Sequence, residues 1–339
     1  MRTAFVTGGT GFIGRHLVDT LLDRGVEVRC LVRAPHRAAH LQRDGIRLVA
    51  GSLADVSAWQ ADLAGCDAVF NAGGLVAACS HDELFAVNGR AAGALADACA
   101  AQGSPPTLVH VSSLAAAGPP PVGKSVRDET DPFAPVSAYG ASKLLGDGEL
   151  RTRADRLPVT CVQPGIVFGP HDRQVLTLYQ MIAVARLHLP MGFRPVPMSL
   201  IHVADLVALL LAAADRGERM QPARSDAHAS SGVFHACDDR EHPTYGDLGR
   251  RIGRAIGCGV LVMPVAVPVA WPIVRISAAV SNLLGTPSMI SPDKLREATA
   301  RSWAASSAKA RVQLGFAPAA GIDERLRQTG DWFRANGLL

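Results

Sequence analysis

The 339-residue chain contains only four lysines, only 5% aromatic residues and no dense run of basic residues. Arginine supplies most of the positive charge, and 34 Lys and Arg against 30 Asp and Glu leave a formal net charge of +4. So small an excess gives no electrostatic reason to expect nucleic-acid binding. The 48% hydrophobic content excludes a disordered or fibrous chain and predicts a folded protein with a substantial core.

Disulfide and metal motifs are also missing. The seven cysteines form no CxxC pair and no cysteine–histidine metal spacing, and several lie in apolar runs. Their odd number favours buried free thiols in a reducing compartment. His171, His202 and Asp205 do not have the spacing of a metal site, so we expect no metal. The first residues, MRTAFVTGG, enter a strand-like run directly, which leaves no room for a signal peptide and predicts a cytoplasmic protein.

Strand-like and helix-like segments alternate over the first two thirds of the chain, the pattern of a parallel sheet with crossover helices. The predicted strands are residues 3–7, 27–32, 47–50, 68–71, 108–112 and 159–163, and the predicted helices are residues 12–24, 57–64, 82–101 and 138–154. Later segments predict a strand at 232–236 and helices at 202–214, 244–256 and 323–334.

This pattern predicts an α/β protein with a doubly wound parallel sheet and a smaller C-terminal lobe. We assign residues 1–165 to a nucleotide-binding domain, to which residues 203–236 return. Residues 166–202 and 237–339 would form the substrate-binding lobe. The loop 118–135 is rich in proline and charge and too long for a plain connection, so we expect it to lie over the site.

A glycine-rich segment, TGGTGFIG at residues 7–14, follows the first predicted strand and opens the first predicted helix. In a dinucleotide site, Gly8 would allow the sharp turn, Gly11 the close approach of the pyrophosphate, and Gly14 the packing of helix on strand. The helix N-terminus offers unpaired N–H groups and a positive dipole end to the phosphates. The segment therefore predicts a dinucleotide-binding turn, with Phe12 and Ile13 at the start of the helix.

The end of the second predicted strand bears on the choice between NAD and NADP. An acidic residue there binds the ribose 2′-hydroxyl of NAD, whereas an arginine accommodates the 2′-phosphate of NADP. Residues 31–37 read LVRAPHR and contain no acid. Arg33 is the predicted phosphate partner and Arg37 a second candidate, which favours NADP(H). NAD(H) stays open, because either arginine could be an ordinary surface charge.

Tyr139 and Lys143 lie four residues apart, which places a phenol and an ammonium on one face of a helix. With three tyrosines and four lysines in the chain, chance gives such a pair in roughly one sequence in thirty. We expect the cation to lower the pKa of the phenol towards neutrality, as acid–base chemistry requires. Ser112 and Ser113 end a predicted strand at the edge where parallel sheets bind ligands. Alone, such a serine pair is more typical of a turn.

The segments TGGTGFIG, HVSSLAAAG, YGASK, QPGIVFGP and SLIHVADL occur in this order along the chain. Together they resemble the extended short-chain dehydrogenase/reductase superfamily over essentially the whole sequence. The resemblance implies a Rossmann fold and a nicotinamide cofactor. It implies that Tyr139 is the proton donor and acceptor, that Lys143 binds the nicotinamide ribose, and that Ser113 is the catalytic serine, with Ser112 its neighbour.

The resemblance also implies the remaining cofactor contacts. These are Gly8, Gly11, Ile13 and Gly14 at the pyrophosphate, Asn71, Ala72 and Gly73 at the adenosine half, and Pro164, Gly165, Ile166 and Val167 beside the nicotinamide. The family often has Gly-Asp-Leu where this chain has Gly51-Ser52-Leu53. The adenine contact is therefore expected near Ser52, from the Leu53 backbone or from Asp55. Asn88 matches a recurrent family position, which we interpret as structural.

Two stretches of the sequence reduce the number of family branches to which the chain could belong. Sugar 4,6-dehydratases carry an acidic pair after the catalytic serine or threonine, whereas residues 114–116 are LAA, which leaves no evident second acid or base. Nucleotide-sugar epimerases commonly have an Arg-Asp-aromatic run where residues 197–201 read PMSLI, which favours an apolar pocket. Residues 291–333 resemble the 3β-hydroxysteroid dehydrogenase-like branch, which also includes reductases of long-chain β-keto acids and dihydroflavonols.

The leading interpretation is an NADP(H)-dependent oxidoreductase that interconverts a secondary alcohol and a ketone on a hydrophobic substrate, whether steroid-like, long-chain acyl or polyketide-like. The alternative is a nucleotide-sugar epimerase that retains NAD. A binding protein with vestigial chemistry is hard to reconcile with an intact Ser–Tyr–Lys set.

The apolar segment 260–284 is interrupted by three prolines and Arg275, which argues against a membrane-spanning helix. It would be a buried wall of the substrate lobe or a rim touching a membrane or a lipid-like substrate. A homodimer through helices of the nucleotide-binding half is left open.

Overall fold

The computed structural model describes residues 1–222, 230–269, 271–272, 275 and 292–339, except for the side chain of Arg37. Residues 270, 273–274 and 276–284 of the apolar segment 260–284 therefore lie outside the described residues. Eleven strands are described: β1 Thr3–Thr7, β2 Glu27–Val32, β3 Ile46–Ala50, β4 Ala68–Asn71, β5 Thr107–Val111, β6 Val159–Pro164, β7 Ile166–Phe168, β8 Leu187–His188, β9 Leu200–His202, β10 Val233–Ala236 and β11 Leu261–Val262.

Seven of these strands form one sheet in the order β10-β6-β5-β4-β1-β2-β3, with every neighbouring pair parallel. The order reverses between β1 and β4, and the crevice at such a reversal is where doubly wound sheets bind ligands. The predicted doubly wound α/β sheet is confirmed. Strand β10 pairs with β6 and forms one edge.

The described helices connect the strands and cover the sheet: α1 Phe12–Asp23, α2 His81–Leu84, α3 Ala91–Ala100, α4 Leu114–Ala117, α5 Ala138–Arg151, α6 Arg173–Ala185, α7 Val203–Arg216, α8 Tyr245–Ile256, α9 Pro292–Ala298, α10 Ala308–Leu314 and α11 Ile322–Ala335. Adjacent residues of β1 belong to different cores. Val6 packs with Leu17 of α1 and Leu206 of α7, whereas Phe5 packs with Trp59 and Leu95 of α3. Successive side chains of a strand point to opposite faces, so apolar strands bury both faces of the sheet.

Two predicted helices differ from the structure. Residues 57–64 contain only a short 3₁₀ turn, Gln60–Leu63. The segment predicted as one helix at 82–101 is divided by a π-helical stretch, Phe85–Arg90. Asn88 lies in that stretch, and its amide donates to Leu75 O and accepts from Leu75 N, both at 2.8 Å. The buried amide therefore fastens the loop after β4, in line with a structural role.

The loop 118–135 does not lie over the site as predicted, because none of its residues lines the described cavity. Arg127 is 2% exposed and donates to the carbonyls of Ala117, Gly118 and Pro119 at 2.6–3.0 Å. Its own backbone pairs with residues 304–306 of the C-terminal region. The buried guanidinium satisfies the carbonyls of an irregular loop, which holds the loop against that region.

The C-terminal region has a core of its own. Phe168 and Tyr179 pack there with Leu248, Leu326 and Phe333, which come from α8 and α11. Short parallel ladders β7–β9 and β8–β11 stand apart from the main sheet. This second core sits beyond the carboxyl ends of the strands, where it supplies the opposite wall of the cavity described below.

Candidate functional site

The glycine-rich turn leaves room for a ligand but none for side chains. Gly8 has φ 71°, and a Cβ there would lie 2.7 Å from the carbonyl group of Ala72. A Cβ on Gly14 would lie 2.1 Å from Gly8 O. Gly11 precedes α1 without a side-chain cap, so the first N–H groups of the helix remain available to an anion. The turn therefore fits the pyrophosphate of a dinucleotide.

The predicted adenosine end is assembled around the same turn. A Cβ on Gly73 would lie 2.8 Å from the Leu53 side chain, so Leu53 covers the backbone after β4. A second cavity of about 340 Å³ opens at the end of β2, and it is lined by Arg33, Gly51, Ser52, Asp55 and Ala58. Arg33 is exposed and makes no side-chain hydrogen bond or ion pair with any residue that the structure describes. The residues present fit the adenosine group of a dinucleotide.

Ser113 and Tyr139 meet at the carboxyl edge of the sheet. Ser113 follows β5, and its hydroxyl accepts from Ala115 N at 3.1 Å. Tyr139 begins α5, whose N-cap Ser137 accepts from Gly140 N at 3.0 Å. Ser113 and Tyr139 both line the cavity described below. Two hydroxyl groups are therefore available there to a single carbonyl oxygen.

The expected lowering of the Tyr139 pKa is not found. Burial raises the pKa of Tyr139 to about 12; the Ser113 hydroxyl opposes this rise, whereas the Glu297 and Asp147 carboxylates add to it. Lys143 Nζ donates to Val111 O at 3.1 Å and is not among the groups that lower this pKa. Desolvation outweighs the nearby cation, so the phenol of the protein without cofactor is protonated at neutral pH.

Beneath Lys143 lies a carboxylate that sequence reasoning missed. Asp147, one turn further along α5, is 4% exposed and accepts from Ser112 Oγ at 2.9 Å and from Gln163 Nε2 at 2.8 Å. Burial raises the pKa of Asp147 and lowers that of Lys143, while each charge partly offsets the shift of the other. The predicted cofactor residue Ser112 therefore has its hydroxyl directed at Asp147.

The polar groups continue across the sheet. His110 Nε2 lies 3.7 Å from Asp147 Oδ1, and His110 Nδ1 lies 3.0 Å from Asn71 Nδ2. Thr7 Oγ1 donates to Asn71 Oδ1 at 2.7 Å and accepts from Gly73 N at 3.1 Å. The Asn71 side chain is thus buried in the sheet, and only its backbone faces the predicted adenosine end. The network joins the ends of four adjacent strands, which fixes their relative positions.

A cavity of about 680 Å³ lies between the sheet edge and the C-terminal region. It brings together nine of the predicted site residues: Phe12, Ile13, Ser112, Ser113, Tyr139, Pro164, Gly165, Ile166 and Val167. The opposite wall is mainly apolar, with Met191, Phe193, Val262, Pro264 and Trp303 among its residues. The cavity is therefore large enough for a nicotinamide and a hydrophobic substrate together.

Two charged residues of α9 also line this cavity. Lys294 Nζ lies 5.1 Å from the centre of the Tyr139 ring and donates to Glu297 Oε2 at 2.8 Å. Glu297 also accepts from Ser137 Oγ at 2.5 Å. Leu114 and Ala115 leave the usual dehydratase position apolar, as expected, but α9 brings the Glu297 carboxylate to the cavity from a distant part of the chain. No local sequence motif predicts that these two residues line the cavity.

The chain matches the model of the NAD dependent epimerase/dehydratase family over residues 4–225. It belongs to that family. A ceramide reductase of Caulobacter vibrioides is 28% identical over 98% of this chain and 95% of its own length. The 4-hydroxy-2-methyl-3-oxo-4-farnesyl-3,4-dihydroquinoline-1-oxide ketoreductase of Stigmatella aurantiaca is 31% identical over 64% of this chain and 65% of its own.

The fold is shared with solved structures of the family. A dTDP-glucose 4,6-dehydratase of Streptomyces venezuelae, solved as a double mutant with NAD bound, superposes with a TM-score of 0.75 at 19% identity, over 99% of this chain and 98% of its own. The extended short-chain dehydrogenase/reductase assignment is confirmed, and the chain is an oxidoreductase-type enzyme with a nicotinamide dinucleotide as its supported cofactor. The 3β-hydroxysteroid dehydrogenase-like branch stays a prediction, as do the individual residue roles and the domain boundaries.

Proposed function

We propose that the protein is an NADP(H)-dependent oxidoreductase that interconverts a ketone and a secondary alcohol on a hydrophobic, lipid-like substrate. The observation that carries the proposal is the meeting of Ser113 and Tyr139 in a cavity whose far wall is mainly apolar. Apolar walls with a few converging polar groups are typical of sites for hydrophobic small molecules. The names of the relatives, which include ceramide and a farnesyl-bearing ketone, support the same substrate class.

In this proposal a reduced nicotinamide, when bound, supplies the hydride that reaches the carbonyl carbon. Tyr139 donates its phenolic proton to the carbonyl oxygen as negative charge develops there, and Ser113 donates a hydrogen bond to the same oxygen. Donors fixed before the reaction stabilise that charge without reorganisation. The pKa of about 12 keeps Tyr139 protonated, which suits the direction of ketone reduction. Solvent returns the proton after turnover.

Lys143 lies beneath the site. Its ammonium is fixed by Val111 O at 3.1 Å, and α5 places it one turn beyond Tyr139. From this position it would bind the hydroxyl groups of the nicotinamide ribose and favour the phenolate that forms when Tyr139 loses its proton. Its role is therefore electrostatic and positional.

The preference for NADP(H) is supported by Arg33 at the mouth of the second cavity. A guanidinium binds a phosphate monoester through charge-assisted hydrogen bonds. The absence of any acid in residues 31–37 removes the usual partner of an NAD ribose.

The test combines cofactor titration with turnover. Purified protein is titrated with NADPH and NADH by nicotinamide fluorescence and then assayed with long-chain 3-oxo esters, a steroid ketone and UDP-glucose. We expect tighter NADPH binding, and oxidation of NADPH that depends on the apolar ketones. Epimerisation of UDP-glucose by protein purified with bound NAD, without turnover of any ketone, would instead establish the sugar epimerase.

A further inference from the structure

Two long segments of the C-terminal region contain no acidic residue. Residues 173–204 and 248–292 include seven arginines and neither Asp nor Glu, in a chain that has 30 acidic residues. An even distribution would place about seven carboxylates there. Described residues of both segments, among them Pro190, Val262 and Pro264, line the catalytic cavity.

The two segments run side by side as a parallel ribbon, which we define as residues 186–193 and 261–265. Leu187 lies opposite Leu261 and His188 opposite Val262. The pairing continues beyond β8 and β11, because Met263 N donates to His188 O at 2.9 Å and Val265 N to Pro190 O at 2.8 Å. Alternation along each strand then defines two faces. The inner face carries His188, Pro190, Val262 and Pro264, and the outer face carries Leu187, Leu189, Leu261, Met263 and Val265, whereas Met191, near the end of the ribbon, lines the cavity.

The outer face is as apolar as the inner face. Pro190, Val262 and Pro264 line the catalytic cavity, and His188 is buried with its Nε2 2.9 Å from Tyr245 O. On the other side, Leu261 is 62% exposed and Met263 49% exposed. A strand with one face in water normally alternates apolar and polar side chains. The ribbon breaks that rule, which indicates that its outer face contacts something other than water.

Exposed apolar side chains are concentrated in the ribbon and in the residues next to it along the chain. Of the 16 exposed large hydrophobic residues among those described, nine fall within residues 181–193 and 261–271. Val184 is 87% exposed and Phe193 73% exposed. Arg186 is the first residue of the ribbon, and Arg194 follows its first strand at the rim of the cavity. Both are exposed and form no ion pair with a described residue.

A lipid bilayer with anionic headgroups matches this surface. Apolar side chains enter the headgroup boundary while arginines at the edge pair with lipid phosphates. A second copy of the chain matches it less well, because two identical faces would oppose arginines to arginines without a carboxylate on either side.

We propose that the ribbon is a docking surface on which the protein rests on an anionic membrane. Its inner face would remain the wall of the cavity, so an amphiphilic substrate would pass from the lipid to Tyr139 along the ribbon. The docking is independent of catalysis, whereas the delivery of substrate rests on the function proposed above.

The test is flotation of the purified full-length protein with vesicles, in the absence of cofactor. Vesicles of phosphatidylcholine alone are compared with vesicles of equal phosphatidylcholine and phosphatidylglycerol. We expect flotation with the anionic vesicles and its loss at high salt. The double variant Leu189→Gln, Met263→Gln removes two outer-face side chains that do not line the cavity, and its partition should fall at least about tenfold.

The variant Arg186→Asn tests how much the positive charge contributes to vesicle binding. Arg186 has φ 51°, a backbone conformation that asparagine tolerates, and loss of one cation at an anionic surface should weaken partition roughly fivefold. The matched control is Val122→Gln, Val312→Gln, which removes two equally apolar side chains, 90% and 83% exposed, outside the ribbon. This control should float like the parent protein.

Three results would overturn the proposal: no flotation of the parent protein with either vesicle, equal losses in ribbon and control variants, or a dimer in solution that the ribbon variant dissociates. An unchanged NADPH titration confirms that each variant is folded. Because flotation needs no turnover, failure of the ketone assay leaves the result for the ribbon intact.

Discussion

The sheet side and the lobe side of the cavity hold their polar groups in different ways. On the sheet side, Lys143, Asp147 and His110 are nearly or fully buried, and hydrogen bonds link most of their polar atoms. On the lobe side, the wall is mainly apolar, and its charged residues beside Tyr139 are the Lys294–Glu297 pair on α9. A buried network permits little displacement because each lost partner leaves a desolvated group. Under the proposed function, we therefore expect the reaction geometry to depend on the sheet and the choice of substrate on the lobe.

The largest effect is expected from substitution of Tyr139 on the sheet side of the cavity. Tyr139→Phe removes the proton donor and keeps the ring, so turnover of the ketone should fall by about 10²–10⁴-fold. Because the phenol does not hold the adenosine half, NADPH affinity should stay close to that of the parent. Steady-state turnover and fluorescence titration measure the two effects. Turnover within a factor of about two of the parent would remove Tyr139 from the chemistry.

Arg33→Ala tests whether the second cavity selects the cofactor. Loss of a charge-assisted contact to the 2′-phosphate should weaken NADPH binding by roughly 10–100-fold, whereas NADH binding should hardly change. The control is Arg37→Ala, the other arginine of the same segment. A loss that follows Arg37 and not Arg33 would reassign the phosphate contact, and equal losses for NADPH and NADH would contradict selection by charge.

Asp147→Ala tests the buried network. Ser112 Oγ and Gln163 Nε2 would lose their acceptor, which should reduce the free energy of unfolding by about 1–3 kcal/mol. Urea unfolding measures this change. An unchanged midpoint would show that these donors find other partners.

The same carboxylate predicts a pH dependence. Burial raises the folded-state pKa of Asp147, so the folded protein binds a proton more tightly than the unfolded chain does. The contribution of Asp147 to stability is therefore fully present below its unfolded pKa and is lost as pH rises through the folded pKa. Asp147→Asn should remove this decline, as urea midpoints across that pH range would show.

Glu297→Gln addresses the lobe side and has the smallest expected effect. The Glu297 carboxylate raises the pKa of Tyr139, so its neutralisation should lower that pKa. Reduction needs the protonated phenol, and its alkaline decline should therefore begin at a lower pH. Asp293→Asn is the control, because Asp293 accepts from Ala138 N at 2.9 Å on the same helix but does not line the cavity. The same shift in both variants would point to loosened packing of α9.

The strands were predictable because strands buried on both faces appear as apolar runs. Residues 3–7, 27–32 and 68–71 have the predicted bounds. The position of loop 118–135 was not predictable, since it follows from the burial of the Arg127 guanidinium among the carbonyl groups of Ala117, Gly118 and Pro119. The sequence did not predict that Lys294 and Glu297 lie in the cavity, because nothing in the local sequence links them to Tyr139.

The sequence by itself determined the family, the glycine turn and the Tyr139–Lys143 spacing, because each depends on residues close together in the chain. The tertiary structure decided what depends on contacts between distant segments. Burial sets the high pKa of Tyr139. The sheet brings Thr7 and Asp147 into one polar network. Pairing of residues 186–193 with 261–265 forms the ribbon and its apolar outer face. Desolvation and strand register are properties of the folded chain, which spacing along the sequence does not encode.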